Sequence, residues 1–333
     1  MECEVRVLTY KRPKLLHRAL MSLVGQSHQE WKAYVFDDSP AAESALVISE
    51  IGDRRIIYRG NPRNLGMAAN TDQAFQAKPF GRADYAFILE DDNWLYANFI
   101  TANIDALEKT GLDIMMRNQE IWIQDGDATS RKPRGETTTR GEWMSEGVLD
   151  VVALRAHLFF HEGVSHGALF WRLNAGVNLE VGSPITNTWL AERVRTTRVS
   201  RPLLFCSTPA AAFTLFKGEK EDLRTSALQR EEYHCGAQVL LRHLICLHGR
   251  RIVGEAAKLA HCWERRYQFE QSLVRALYPF WRFRTLSLGA FVGFWAIAVR
   301  LRCRTGRHLA RAIEESDPLG KKVRIWSSMC MKS

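Results

Sequence analysis

The chain has 333 residues, 46% hydrophobic and 25% charged. That is enough for one large α/β domain with an appendage, or for two domains, and it is unlike a disordered or fibrous chain. The net charge is +9, but residues 271–312 alone hold eight arginines, no lysine and no acid, so the remainder carries only about +1. A basic excess this localised, without polar base-reading side chains, argues against nucleic acid as a partner.

Read in chain order, the first third alternates between two periodicities. Residues 5–9 form a strand-like run. Pro13 then stands where a first helical residue belongs, and Leu15, Leu16, Ala19, Leu20 and Leu23 recur at helical spacing. "WKAYVFDD" predicts a second strand, residues 44–51 a helix, and "RRIIYRG" a third strand. Residues 67–76 read as a helix, "YAFILEDD" as a fourth strand, and residues 98–110 as an amphipathic helix closed by Gly111. "LDIMMRNQ" adds another strand. Residues 124–143 are polar and rich in Thr and Arg, and predict a long loop. "NTWLAERVR" predicts a helix, "RPLLFCSTPAAAFTLF" predicts strands near a sheet edge, and the chain reads mainly helical from Glu219.

A β-α-β-α order implies a mostly parallel sheet covered by helices, in which ligands bind beyond the carboxyl ends of the strands. Both acidic clusters fall at such ends: Asp37 and Asp38 after the second strand, and Glu90, Asp91 and Asp92 after the fourth. Three adjacent carboxylates repel one another and need a positive partner unless they simply face water. Mg²⁺ or Mn²⁺ shares carboxylate oxygens with a diphosphate, and carboxylates also accept from ribose hydroxyls or a base N–H. Carboxylates gathered at one sheet edge therefore suit a nucleoside diphosphate compound.

At this point the residues resemble a known family. Thr9 to Pro13 with Lys11 and Arg12 between, Ser22 to Gln26, Asp37-Asp38-Ser39, and Asn64 with Gly66 and Asn70 are similar to successive segments of the family 2 glycosyltransferases. The Asp-Asp-Asn form at 91–93 resembles the spore-coat polysaccharide synthesis members. The resemblance runs well over about residues 4–100 and weakly to about 215. It implies an α/β GT-A fold, Rossmann-like, with a mostly parallel sheet and helices on both faces, and here a C-terminal helical extension. The expected division is a nucleotide-sugar-binding half at 1–115, an acceptor-binding half at 116–218 and the helical extension at 219–333.

The resemblance also implies roles. Thr9, Tyr10 and Arg12 would line the nucleotide pocket, with Asn64 nearby. Asp37 would contact the base with Asp38 beside it, Asp91 would face ribose or sugar, and Asp92 would bind Mn²⁺ or Mg²⁺, with Glu90 supporting either. The implied reaction is metal-dependent transfer, with inversion, from a nucleotide-sugar (UDP-linked in this reading) to a polysaccharide, lipid-linked or other glycan acceptor. It needs a base to deprotonate the acceptor hydroxyl.

The base is where the chain departs from the pattern. The family's Glu-Asp pair lies about six residues before a helical Arg. With Arg193 as that Arg, the pair becomes Thr186-Asn187, and neither is a base near neutral pH. Glu180 and Glu192 are the nearest substitutes, with His161, Glu162 and His166 in the preceding segment. The alternative is a non-catalytic nucleotide-sugar-binding or scaffolding protein of the same fold. A nucleotidyltransferase would carry a Gly-rich loop after the first strand, and "LTYKRPKLL" has no glycine. Trp94, Trp122 and Trp143 are candidates for stacking on sugar.

Seven cysteines, an odd number without a CxxC pair, disfavour a zinc ribbon or disulfide framework and suit reduced thiols. "MECEVRVLTY" enters a strand at once, without the n- and h-regions of a signal peptide. The longest apolar stretch, residues 285–299, is short for a span. A cytoplasmic location is expected. Aromatic residues with Arg on both flanks in 271–312 suggest peripheral contact with the inner membrane face.

Overall fold

The computed structural model describes residues 1–125, 129–131, 137–141, 144–182, 185–216 and 223–277. The elements in order are β1 (Cys3–Thr9), α1 (Pro13–Val24), β2 (Trp31–Asp37), α2 (Glu43–Ile51), β3 (Ile56–Gly60), α3 (Met67–Gln73), β4 (Tyr85–Glu90) and β5 (Trp94–Leu95). They continue with α4 (Phe99–Thr110), β6 (Ile114–Arg117), β7 (Glu120–Asp125), β8 (Thr129–Arg131), β9 (Gly147–Leu149), α5 (Val151–Ala156) and β10 (Leu169–Arg172). Then come α6 (Thr188–Arg198), β11 (Leu203–Cys206), β12 (Ala211–Phe216), α7 (Leu223–His248), α8 (Arg250–Leu259) and α9 (Trp263–Leu277).

The chain divides into two compact units. The first contains Met1–Asp150, Val164–Glu180 and Val199–Glu219, and the second contains Val151–Gly163, Val181–Arg198 and the described residues after Lys220.

The first unit is built on an eight-stranded sheet in the order β3-β2-β1-β4-β10-β6-β11-β9. The pairs β3-β2, β2-β1, β1-β4 and β6-β11 are parallel. The strands β1 and β4 are central because every residue of β1, and five of the six in β4, is buried. One face carries Cys3, Val5 and Val7 against Leu16, Ala19, Leu20 and Leu23 of α1, with Ile104 and Leu107 of α4 in the same core. The expected α/β sheet with C-terminal helices is thus present.

Two features differ from the sequence reading. β10 lies antiparallel between β4 and β6, splitting the parallel run. Its segment "LFWR" is only four residues long, too short to show a period. The predicted loop 124–143 instead contains the end of β7 and all of β8, which pair antiparallel. With β12 and β5 they make a second sheet, β5-β12-β7-β8.

The opposite face of β1 is charged, which its strand-like appearance conceals. Glu4 and Arg6 are 1% and 0% exposed. Arg6 donates through Nε to Glu4 at 2.8 Å, and through Nη1 to the carbonyls of Ala74 and Gln76 at 2.8 and 2.6 Å. The guanidinium also lies over the rings of Phe80 and Trp171. Glu4 accepts from the backbone N–H groups of Phe80 and Gly81. This pair fastens the connection between α3 and β4 to the middle of the sheet.

The second unit is helical, with Phe159 and Phe160 packed among Leu190, Val194, Leu240, Leu244 and Ile252. No helix among the described residues is long and apolar enough to cross a membrane. The arginine-rich stretch beyond residue 277, and Trp143, lie outside the described residues.

Removing one partner of a buried ion pair strands the other, at a cost of about 3–5 kcal/mol. Arg6→Ala is therefore expected to lower the unfolding free energy from urea melts by that much, while Lys32→Ala, which breaks the exposed Glu2 pair, is expected to leave the melt essentially unchanged.

Candidate functional site

The turn after β4 sits where β1 also ends, because the two strands pair in parallel with Leu8 opposite Glu90. Its three acids, alike in sequence, fall into three environments. Asp91 is fully buried. Its Oδ2 accepts from the Thr9 hydroxyl at 2.8 Å and from the Tyr10 N–H at 3.3 Å. Glu90 is half-buried and accepts from the Asn93 amide at 2.8 Å. The Asp92 side chain is 20% exposed.

The positive partner in the structure is Arg12. Its Nη2 lies 2.8 Å from Asp91 Oδ1 and its Nη1 donates to Asp92 Oδ2 at 2.8 Å. The first contact is off the hydrogen-bonding direction, so Asp91 Oδ1 gains coulombic attraction without a formal bond. A second arginine, Arg18 of α1, donates to the Asp92 carbonyl and lies over the Trp94 ring at 4.3 Å. Burial pushes the Asp91 carboxyl up, the Arg12 cation pulls it down and Asp92 pushes it up again, leaving it at about 6. Burial disfavours the Arg12 cation, but Asp91 and Asp92 outweigh that and raise its pKa.

The turn is fixed from behind as well. Asn93 Oδ1 accepts from Thr214 N–H at 2.8 Å, and the Thr214 hydroxyl donates to the Asp92 carbonyl. Both tie the turn to β12. Gly167 is a close-approach position: a Cβ there would lie 3.2 Å from Glu90 Oε2. Sequence reasoning missed Arg18, Thr214 and Gly167. Only the glycine left a signal, as a small residue in "SHGALF".

The first acidic pair is organised differently. Asp37 is buried, accepting from Ser39 N–H at 2.9 Å and from the Tyr58 hydroxyl at 3.3 Å. Asp38 accepts from Asn61, Leu65 N–H and Gly66 N–H, and its carbonyl accepts from Asn64. Asp38 and Asn64 thus shape the loop before α3. Gly66 follows at φ +79°, a conformation that favours glycine. Ser39 Oγ accepts from the Lys11 N–H at 2.7 Å. This accounts for a serine directly after Asp37-Asp38: it fastens the β1 turn. Lys11 itself has φ +54°, where Asn is tolerated better than Lys.

The base candidates separate clearly. Asn187 is buried and caps α6: its Oδ1 accepts from Leu190 N–H at 2.9 Å, while its amide donates to the Gln229 carbonyl at 2.9 Å. Glu192 pairs with Arg193 at 2.7 Å. Glu162 pairs with His157 and Arg265. His166 is buried edge-on to Phe75. The His161 pKa is held at about 4, by burial first and then by neighbouring cations, so the ring is neutral at pH 7. Glu180 is half-buried in the first unit, and its carboxylate has no hydrogen bond or ion pair among the described residues.

Among the described residues no group of three or more His, Cys, Asp or Glu converges as a metal cage. A single carboxylate suffices for a hard cation that completes its shell with diphosphate oxygens and water. Asp92 fits that description, since Arg12 engages only its Oδ2. The aromatic candidates Trp94 and Trp122 lie 5.3 Å apart, and Arg18 covers Trp94.

Residues 5–157 match Glycosyl transferase family 2. Protein CgeD of Bacillus subtilis (strain 168) is 33% identical over 89 residues, which is 25% of this chain and 21% of that protein; the match thus spans about a fifth of the relative. S. aureus TarS 1-349 superposes with a TM-score of 0.57 at 12% identity, covering 96% of this chain and 83% of that one. The same protein in complex with UDP-GlcNAc gives 0.55 at 13% identity, covering 94% and 83%. In complex with UDP it gives 0.56 at 13% identity, covering 98% and 87%. These likenesses show the fold, a mostly parallel α/β sheet of GT-A type flanked by helices.

Two tests follow from these contacts. The native Asp91 pKa lies above that of an unfolded aspartate, about 3.9, so its protonated form stabilises the fold below about pH 4. That contribution is lost as pH rises through about 6. Urea melts of Asp91→Asn against the native chain should shift in the variant's favour by about 2–3 kcal/mol between about pH 4 and 7.5. Asn187→Ala should cost about 1 kcal/mol of stability through loss of the cap, and Asn187→Asp, which keeps the capping oxygen but sets a carboxylate oxygen against the Gln229 carbonyl, should recover only part of it.

Proposed function

We propose that this chain transfers a sugar from a nucleotide-sugar, UDP-linked, to a hydroxyl of a polysaccharide, lipid-linked or other glycan acceptor, with inversion. The observation that carries the reading is the joint ending of β1 and β4. Thr9, Tyr10, Arg12, Asp91 and Asp92 meet there, at the edge where parallel sheets bind nucleotides. A family match over residues 5–157 and a fold shared with a UDP-binding protein support it.

In this reading Tyr10, 43% exposed, offers its ring to the nucleoside. Asp91 is held by Thr9 and Tyr10 as a fixed acceptor for hydroxyls of the donor. Arg12 provides permanent positive charge beside the diphosphate. Asp92 would hold a Mn²⁺ or Mg²⁺ ion. Such an ion, when bound, supplies Lewis-acid stabilisation of the departing diphosphate. Glu90, engaged by Asn93, orients the turn. Glu180 is the proposed base, because the other carboxylate candidates, Glu192 and Glu162, are engaged in ion pairs.

The second reading, a non-catalytic nucleotide-sugar-binding protein, is favoured by one observation: the amide Asn187 at the family's base position. Two variants separate the readings. Asp92→Asn should abolish the Mn²⁺-dependent rise in melting temperature with UDP, measured from the variant's own ligand-free melt because the substitution also removes the charge that Arg12 meets. Glu180→Gln should keep the UDP response but lower turnover about 10²–10⁴-fold, the usual contribution of a general base. A native chain that binds UDP with metal yet transfers no sugar from any donor, with Glu180→Gln indistinguishable from it, would establish the non-catalytic reading.

A further inference from the structure

One side chain at the end of β1 has two claims on it. Arg12 serves both carboxylates of the acidic turn, with Nη2 2.8 Å from Asp91 Oδ1 and Nη1 donating to Asp92 Oδ2 at 2.8 Å. A nucleoside diphosphate would claim the same fork, because a guanidinium binds phosphate oxygens through paired N–H groups. The backbone around it is fixed. Lys11 N–H donates to Ser39 Oγ at 2.7 Å, and the Arg12 carbonyl accepts from Leu16 N–H in the first turn of α1 at 3.0 Å. The side chain is the part that can turn: it is 38% exposed, whereas the Asp91 side chain beneath it is 1% exposed.

The two acids depend on Arg12 differently. Asp91 keeps its place without it, since the Thr9 hydroxyl and the Tyr10 N–H hold Oδ2, and the contact of Nη2 with Oδ1 is not a formal hydrogen bond. Asp92 receives a direct hydrogen bond from Arg12, and this is the carboxylate toward which a hard divalent cation is drawn. A guanidinium in contact weakens that attraction in two ways: it takes one of the two oxygens, and its charge repels a second cation at short range. A diphosphate reverses both effects. Its oxygens accept the guanidinium N–H groups, and its negative charge offsets both cations.

We propose that Arg12 exchanges Asp92 for the diphosphate when a nucleotide binds, so that the Asp92 carboxylate accepts a divalent cation only together with the nucleotide. The same side chain thereby selects a metal–nucleotide pair over the metal alone. The proposal deepens the sugar-transfer reading and rests on it.

The test titrates Mn²⁺ into the full chain with and without UDP at constant ionic strength. Free Mn²⁺ is read by electron paramagnetic resonance, against UDP and Mn²⁺ in buffer. The native chain should bind Mn²⁺ weakly alone and at least about tenfold more tightly with UDP. Arg12→Gln should bind Mn²⁺ alone roughly tenfold more tightly than the native chain does, and UDP should then add correspondingly less. Lys11→Gln removes a neighbouring charge that lies over the Tyr10 ring rather than on the acids, and should leave Mn²⁺ alone within about twofold of native. If Arg12→Gln does not fold, Asp91→Asn/Arg12→Gln, which removes the buried acid together with its cation, should show the same gain over Asp91→Asn. An Mn²⁺ affinity that loss of Arg12 leaves unchanged or weakens, or that Lys11→Gln raises as much, overturns the proposal, while UDP coupling in the native chain keeps the sugar-transfer reading. A native chain whose Mn²⁺ binding UDP does not change overturns both.

Discussion

The first unit is organised around one electrostatic constraint: carboxylates from β4 must be held at the sheet edge without water enough to solvate them all. Arg12 meets this constraint directly by spanning Asp91 and Asp92. Much of the neighbouring structure follows from keeping that arginine and those acids in register. Thr9 and Tyr10 clamp the buried acid, Ser39 pins the turn that aims Arg12, and Arg18 and Thr214 hold the backbone beneath Asp92. The parallel pairing of β1 with β4 brings residues 80 positions apart into contact, so the site depends on the centre of the sheet rather than on its loops.

That dependence explains how much of the site could be read from the sequence. Strand ends rich in acid are local patterns, and they marked Asp37, Asp38, Glu90, Asp91 and Asp92, whereas Arg12 came only from the family resemblance. What a pattern does not carry is which oxygen meets which donor. Asp37 and Asp38 read as a pair, yet Asp38 holds the backbone of residues 65 and 66 while Asp37 meets Ser39 and Tyr58. The succession of strands and helices, and a mostly parallel sheet, were legible as far as β4, but not the order of the strands in the sheet. Beyond it, β10 enters antiparallel through four residues that show no period, and β1 hides the Glu4–Arg6 pair because burial of charge depends on partners seventy residues away. The expected positive partner of the acids was a metal ion. The structure shows an arginine in contact with both, and leaves Asp92 with one oxygen toward which a cation could still be drawn.

The departure at Asn187 acquires a physical meaning of its own. Its side chain accepts from the first turn of α6 and donates to a carbonyl at residue 229, so it works as a cap and a tie within the second unit. An aspartate could accept in the same cap but could not donate to that carbonyl. The residue is suited to joining two helices, whichever group handles the acceptor's proton.

The link between Asn93 and Thr214 reaches further than the turn it steadies. A residue 121 positions downstream supplies both an N–H and a hydroxyl to the acidic motif. The region around β12 is therefore not free to drift as an ordinary peripheral strand. A change of shape or polarity at Thr214 is transmitted to the acidic turn through these two bonds. Two distant stretches of the chain are in this sense one mechanical unit, joined by two hydrogen bonds.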